Sequence, residues 1–161
     1  MELKTVDRQP VRVACLRYAG PFGPGIGEFW RDTVQPWLKA NQLNVSTYGL
    51  ALDDPASTPA DKLRYDAAAE VKPGFLGTGL YHLAMIPGGK YAVAVFKGTP
   101  EEIGTAWGEV MSQALPSSSL TVDTTRMPFE HYGKDFKADP ETGAFACELC
   151  VPVESEEPPA A

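Results

Sequence analysis

The chain has 161 residues, of which 43% are hydrophobic, and this content suits one globular domain with a sizeable core. Its formal charge is −7 and its basic residues are scattered, so we expect no direct nucleic-acid binding, because phosphate contacts require a basic face. The N-terminal stretch MELKTVDRQPVRV has no apolar signal-peptide segment, and no apolar run is long enough to span a membrane, which together predict a cytoplasmic protein.

The first predicted unit begins with a strand followed by an amphipathic helix. VRVACLRYAG alternates as a strand up to Tyr18, and the pattern breaks at Gly20 and Pro21. Pro36 falls inside the helical pattern and should kink the helix or tighten its last turn. Two further strands are predicted in VSTYGLALDD and KLRYDAAAEV. The apolar positions with helical spacing are Ile26, Phe29, Trp30, Val34, Trp37 and Leu38.

A second unit repeats this order after a connecting strand in GLYHLAMIPGGK. KYAVAVFKG is a predicted strand up to Phe96 that breaks at Gly98. Thr99 as N-cap, Pro100 at the first helical position and Glu102 as the second member of a capping box predict the helix start. The segments TRMPFEHYG and AFACELCVPV complete the unit as strands. The apolar helix positions are Ile103, Trp107, Val110, Met111 and Leu115.

The two strand-helix stretches match each other residue for residue, which indicates an internal repeat. The matched pairs are Tyr18 and Phe96, Gly20 and Gly98, Ile26 and Ile103, Trp30 and Trp107, Val34 and Met111, and Leu38 and Leu115. One helix covers only one face of a three-stranded sheet, so two such units should pair. We therefore predict an α+β fold of duplicated strand-helix-strand-strand units, about 11–71 and 90–153, with pseudo-twofold symmetry and a ligand groove between the halves. Residues 154–161 form a predicted disordered tail.

The last predicted strand, FACELCVPV, carries a carboxylate between two cysteines. Cys147 and Cys150 are three positions apart and therefore face opposite ways on a strand, which favours packing over a metal or redox site. Glu148 stands among small residues and must be solvated, paired or reserved for a ligand, because an unpaired buried carboxylate is costly. The repeat carries Asp66 onto Glu148, which predicts both near the contact between the halves, a usual place for a ligand cleft.

The runs RYDAAAEV, IPGGKYAVAVFKGTPEEIGTAW and MPFEHYGKDFKADPETGAFACELCVPV resemble the GyrI-like effector-binding family, and the similarity covers residues 1–153 as one domain. Its members include sensing domains of AraC-type and MerR-type multidrug regulators and the stand-alone gyrase inhibitory protein. The resemblance implies a duplicated fold with a groove, and a glutamate on the last strand, ringed by aromatics, that accepts lipophilic cations. The matching position is Glu148. No DNA-binding segment accompanies the domain, so transcriptional control by this chain alone is not expected.

Several candidate site residues have a structural interpretation beside the functional one. Glu148 could instead hydrogen-bond a neighbour, and Trp30 and Trp107 could be helix-face packing. Asp66 could be tied to Arg64 or to backbone donors, although an Asp66–Glu148 pair could also perform acid-base chemistry. His82 and His131 are expected to be structural, and Glu130 to form a salt bridge or lie at a rim. The predicted ligand-binding residues are Glu148, Tyr65, Asp66, Phe22, Trp30, Trp107 and Phe129.

We therefore predict a stand-alone binding protein that takes a hydrophobic, aromatic or cationic small molecule for sensing or sequestration. One alternative is a hydrolase of strained, cyclopropane-containing electrophiles that uses Glu148 and the hydroxyl of Tyr65. A second alternative is a protein-binding inhibitor, for which an exposed apolar patch away from the groove would be evidence. No cofactor and no metal are expected.

Overall fold

A computed structural model describes residues 1–155 of the chain. The strands are β1 Lys4–Arg8, β2 Val11–Ala19, β3 Thr47–Ala51, β4 Arg64–Glu70, β5 His82–Ile86, β6 Gly89–Gly98, β7 Phe129–Tyr132 and β8 Phe145–Pro152. The α-helices are α1 Pro24–Phe29, α2 Gln35–Ala40 and α3 Ile103–Glu109, with a 3-10 turn at Ala60–Lys62. Two π turns extend the helices: Trp30–Val34 joins α1 to α2, and Val110–Ala114 follows α3.

All eight strands form one antiparallel sheet in the order β1-β6-β8-β7-β3-β4-β2-β5. The helices cover one face of it, which we call the helix face: α3 lies over β6 and β8, and α1 and α2 lie over β2 and β4. The opposite, helix-free face has its own core, in which Ile86 from one edge strand joins Tyr91 and Cys150 from the other half. Because strands from both halves meet there, the sheet is curled. The predicted α+β class is confirmed.

The strand order reads alike from the middle outward, β3-β4-β2-β5 on one side and β7-β8-β6-β1 on the other. Asp66 lies opposite Arg17 on β2, and Glu148 lies opposite Val95 on β6. This register matches the one that the proposed repeat requires, since β4 and β8, which carry the two acidic residues, are each the second strand from the centre of the sheet. Superposition of the two units stays a prediction.

The helices differ from the sequence prediction in detail. Val34 is buried, whereas its expected counterpart Met111 is 43% exposed and Val110 takes the buried position. The π turns lie at different places in the two helices: the first ends at Val34, whereas the second begins at Val110. Matched sequence positions therefore do not face the sheet in the same way. Pro36 does not end the first helix, which continues through α2. The second helix begins only at Ile103, and residues 100–102 form a turn.

Strand β1 was not predicted, because its residues are polar and mostly exposed at the sheet edge, where it pairs with β6. Of the predicted disordered tail, Glu154 donates a backbone hydrogen bond to Thr121, and residues 156–161 lie outside the described part. Within residues 1–155, no helix has the length and apolar character needed to cross a membrane.

The cysteines of β8 face opposite ways, as predicted. Cys147 packs in the core beneath α3, and Cys150 packs in the core of the helix-free face. Burial raises the pKa of the Cys150 thiol to about 12, so the thiol stays protonated at neutral pH.

Candidate functional site

A group of aromatic side chains surrounds one carboxylate on the helix face, where β3 pairs with β7. Trp30 comes from the first helical segment and Trp107 from α3. Tyr65 comes from β4, and Glu130 and Tyr132 come from β7. We call these five residues the Glu130 cluster. It brings together side chains from both halves of the chain.

Hydrogen bonds between neutral donors and the carboxylate define the cluster. The Trp107 indole Nε1 donates to Glu130 Oε2 at 2.9 Å, and the Tyr132 hydroxyl donates to Glu130 Oε1 at 2.7 Å. The Trp30 Nε1 donates to the Tyr65 hydroxyl at 3.0 Å. The rings of Trp30 and Tyr132 meet edge to face with their centroids 5.6 Å apart. Both helices are therefore tied to the sheet through polar atoms of aromatic residues.

Gly49 leaves the space that the cluster needs. It lies directly opposite Glu130 across the β3–β7 pairing. A Cβ at this position would overlap the Tyr65 hydroxyl and lie 2.8 Å from Glu130 Oε1, closer than real Cβ contacts come. The Tyr65 hydroxyl and the Glu130 carboxylate are thus near neighbours above a residue with no side chain.

The electrostatics of the cluster are unusual because the half-buried carboxylate has no counter-charge among residues 1–155. Burial raises the pKa of Glu130, and the hydrogen bonds from Trp107 and Tyr132 offset only part of this rise. Burial, together with the nearby charge of Glu130, also raises the pKa of Tyr65 and Tyr132 well above the ordinary value of 10. Within residues 1–155, no basic side chain forms an ion pair with Glu130. A bound cation would stabilise the ionised form.

The outer side of the cluster is only half-buried. Tyr65 and Tyr132 are buried, whereas Trp30, Trp107 and Glu130 keep part of their surface exposed. Phe22, from the loop before α1, is also half-buried, and its ring meets that of Tyr65 at 6.3 Å. The carboxylate and both indoles thus keep some contact with solvent.

Glu148, the carboxylate predicted to anchor a ligand, lies on the helix-free face. His131 Nδ1 is 2.8 Å from Glu148 Oε1, and Lys4 Nζ is 3.7 Å from Oε2. Its side chain is 31% exposed. Burial alone would raise the pKa of Glu148, but the hydrogen bond to His131 and the charges of His131, Lys4 and Arg8 outweigh it and lower the pKa. The aromatic side chains that were expected to surround Glu148 surround Glu130 instead.

Asp66 and Phe129 also lie on the helix-free face, apart from the Glu130 cluster. Asp66 accepts two hydrogen bonds from Arg17, at 2.8 and 3.0 Å, so its partner is not Arg64, an alternative that the sequence left open. Arg64 instead pairs with Asp53. Phe129 is fully buried and meets Tyr48 and Tyr91 edge to face, so it is a core residue. The structure thus brings together Tyr65, Trp30, Trp107 and Phe22 from the predicted set, and separates the remaining three.

The sequence did not predict that Glu130 lies at the centre of the aromatic group. Glu130 and Tyr132 share one face of β7, and an acid two residues from a tyrosine on a strand was the available signal. That signal does not say which face the helices cover.

Two other features are relevant to binding. Cys15, Asp66 and His82 each place one potential metal-ligand atom within 4.8 Å of the others, on the helix-free face. An open groove of about 830 Å³ lies between the N-terminal segment, β6 and α3. Its lining includes the carboxylates of Glu2, Glu101 and Glu109, but Phe96 is its one aromatic residue. The Glu130 cluster offers more aromatic surface.

Comparison with known proteins identifies the family and the fold. A family model described as the GyrI-like small molecule binding domain matches residues 1–154, which confirms the resemblance found in the sequence. The DNA gyrase inhibitor of Yersinia enterocolitica is 27% identical over 162 aligned positions, covering 98% of this chain and 100% of that protein.

Two solved structures show the same fold. The EcmrR–DNA complex contains a chain with a TM-score of 0.75 and 16% identity, and the match covers 96% of this chain and 57% of that chain. The structure of SAV2435 bound to tetraphenylphosphonium has a TM-score of 0.63 and 17% identity, with 96% and 95% of the two chains covered. Because the family model covers almost the whole sequence, the chain belongs to the GyrI-like small-molecule binding domain family.

Proposed function

We propose that the chain binds a flat or multi-ring aromatic cation over Glu130, between Trp30 and Trp107, for sensing or sequestration of that compound. The observation that carries the proposal is the half-buried Glu130 carboxylate, which neutral indole and phenol donors hold in the absence of a basic partner among residues 1–155. Taking up a cation would supply the missing counter-charge.

The surroundings of Glu130 suit such a ligand for a second reason. Aromatic faces attract cations through their π electrons, and Trp is the best of the aromatic side chains for this contact. The rings of Trp30 and Tyr132 contact each other, so a ligand would exchange ring–ring contacts for ring–ligand contacts. Trp30 opens one π turn and Trp107 lies just before the other, and such turns often mark functional sites.

We also infer that the ligand groove lies between two repeated units, about 11–71 and 90–153. Matched strand order and the matched positions of Asp66 and Glu148 support this duplication. SAV2435, which has the same fold, binds tetraphenylphosphonium, and this supports a lipophilic cation as the ligand class.

The decisive experiment compares two ions of the same shape and opposite charge, tetraphenylphosphonium and tetraphenylborate, by calorimetry. We expect the cation to bind the wild type. Glu130→Gln should weaken the affinity for the cation by about 1–3 kcal/mol, or about 5- to 150-fold, which is the scale of charge-assisted hydrogen bonds. Binding of the anion should not weaken in this variant. A Trp37→Phe background leaves Trp30 and Trp107 as the only tryptophans, so quenching of tryptophan fluorescence by the cation then reports on the site itself.

Glu148→Gln is the matched control, because it removes a carboxylate from the opposite face of the sheet. We expect this variant to change cation affinity less than twofold. If Glu148→Gln weakens the cation and Glu130→Gln does not, the anchor is Glu148 and the proposal is wrong. If neither substitution changes affinity, the cation uses neither Glu130 nor Glu148 and the proposal is wrong.

Hydrolysis of a strained electrophile would use the same cluster, since the Tyr65 hydroxyl and the Glu130 carboxylate are neighbours above Gly49. In that case Glu130→Gln should leave substrate affinity nearly unchanged and slow turnover about 100-fold or more. A turnover assay on a cyclopropane-containing alkylating agent separates this outcome from binding alone.

Exposed leucines favour one further candidate function, binding to a protein. Leu76 and Leu80, between β4 and β5, are 92% and 95% exposed, and exposed apolar patches mark protein interaction sites where they are contiguous. Because a relative is named a DNA gyrase inhibitor, the partner to test is DNA gyrase. We would expect inhibition of gyrase supercoiling by the wild-type chain and its loss with Leu76→Ser and Leu80→Ser together. No inhibition by the wild type would exclude this candidate.

A further inference from the structure

A polar group on the helix-free face is independent of the Glu130 cluster. Cys15 on β2 and His82 on β5 are direct cross-strand partners, so their side chains lie on the same face. Asp66 on β4 is on that face too, as the diagonal neighbour of Cys15, because its own direct partner is Arg17. The thiol sulfur, an imidazole nitrogen and a carboxylate oxygen of these three residues lie within 4.8 Å of one another.

We propose that Cys15, Asp66 and His82 form a binding site for a divalent ion of borderline softness, of which Zn²⁺ is the type. Thiolate, imidazole and carboxylate are the three protein ligands that Zn²⁺ takes most often. Three protein ligands leave a fourth position for water or an external ligand, which is typical of open zinc sites. That position faces solvent on the side of His82, whose side chain is 45% exposed.

The distances fit such an ion with small adjustments. His82 Nε2 lies 3.3 Å from Asp66 Oδ2. Zinc bonds of about 2.0 Å to oxygen and nitrogen at a tetrahedral angle require about 3.3 Å between these two atoms. The longer zinc–sulfur bond, about 2.3 Å, requires about 3.6 Å from sulfur to nitrogen. Because the ligand atoms lie within 4.8 Å of one another, Cys15 Sγ has to approach by no more than about 1.2 Å. Rotation of the exposed imidazole can supply part of this movement.

Arg17 is the group that opposes the ion. Its Nε donates to Asp66 Oδ1 at 2.8 Å and its Nη2 donates to Asp66 Oδ2 at 3.0 Å. Metal binding through Oδ2 displaces the Nη2 contact, while the Nε contact to Oδ1 can remain and orient the carboxylate. The Cys15 thiol gives up its proton to solvent as the sulfur–metal bond forms. Arg17 also repels the ion, so removing its charge should strengthen binding.

The test is a Co²⁺ titration of the whole chain under reducing conditions, followed by visible and near-ultraviolet absorption. We expect one equivalent of Co²⁺ to give a thiolate charge-transfer band together with the visible bands of four-coordinate cobalt, and Zn²⁺ to displace it. Cys15→Ser should abolish the charge-transfer band. His82→Gln changes an exposed side chain and should not disturb folding. This variant should lower the affinity for Co²⁺ by about tenfold or more.

The matched control is Cys150→Ser, which removes another buried thiol of the same face and should keep the full spectrum. Arg17→Met should bind Co²⁺ about tenfold more tightly, the Coulomb effect of one charge about 6 Å from a divalent ion in water-like surroundings. The proposal is wrong if the wild type shows no charge-transfer band, if the band survives in Cys15→Ser, or if His82→Gln leaves Co²⁺ affinity unchanged. Cation binding at Glu130 is not affected by any of these outcomes.

Discussion

Gly49→Ala is the substitution that tests the geometry of the Glu130 cluster most directly. The added Cβ would overlap the Tyr65 hydroxyl and lie 2.8 Å from Glu130 Oε1. Tyr65 is buried and cannot swing into solvent, so its ring must shift and its 3.0 Å hydrogen bond from Trp30 must break.

The expected loss of stability follows from these contacts. Overpacking a well-filled site costs about 1–3 kcal/mol, and a lost hydrogen bond costs about 1 kcal/mol more. Replacing a strand glycine with alanine returns about 0.5–1 kcal/mol through the lower backbone entropy of the unfolded chain. The net change in the free energy of unfolding is therefore a loss of about 1–3 kcal/mol, or a Tm lower by about 3–10 °C for a chain of this size.

Denaturant unfolding, monitored by tryptophan fluorescence, measures this loss, with Gly104→Ala as the control. Gly104 lies in α3, and a Cβ there would have no neighbour within 4 Å. The same substitution should stabilise the chain by about 0.5–1 kcal/mol at that position. If the free energy of unfolding of Gly49→Ala lies within about 0.5 kcal/mol of the wild-type value, Tyr65 and Glu130 do not pack closely over Gly49 and the reasoning is refuted.

Two further predictions concern pH and the second carboxylate. The pKa of Glu130 is raised above its ordinary value of 4.5. Calorimetry should therefore show tetraphenylphosphonium affinity falling as the pH drops through a value above 4.5, because the protonated carboxyl loses its charge. A fall in affinity only below pH 4.5 would contradict Glu130 as the anchor. The pKa of Glu148 is lowered, so its contribution to stability is present above about pH 4.5 and lost as the pH falls through the lower folded value. Glu148→Gln should therefore lower the free energy of unfolding at pH 7. The loss should not exceed about 1 kcal/mol, because ion pairs of partly exposed side chains are screened by solvent. The difference between variant and wild type should shrink in acid, and an equal difference at pH 7 and pH 3 would refute the linkage.

Local patterns in the sequence predicted most of the secondary structure. The alternation in FACELCVPV and RYDAAAEV predicted strands that the structure contains as β8 and β4. It also placed Cys147 and Cys150 on opposite faces, which the two separate cores confirm. These inferences succeed because alternation and helical spacing depend only on neighbours along the chain. The exposed edge strand β1 carried too weak a pattern to be predicted.

Alternation could divide the residues of each strand into two faces, but it could not tell which face the helices cover. The prediction therefore took Glu148 on β8 as the ligand anchor and Glu130 on β7 as a salt-bridge or rim residue, whereas the aromatic side chains surround Glu130. Gly49, opposite Glu130, and the two indoles became neighbours of the carboxylate only when the halves met at β3 and β7. Likewise, strand register alone brought Cys15, Asp66 and His82 together. Such contacts depend on pairing between distant strands and on helix placement, which are properties of the whole fold and not of any one segment.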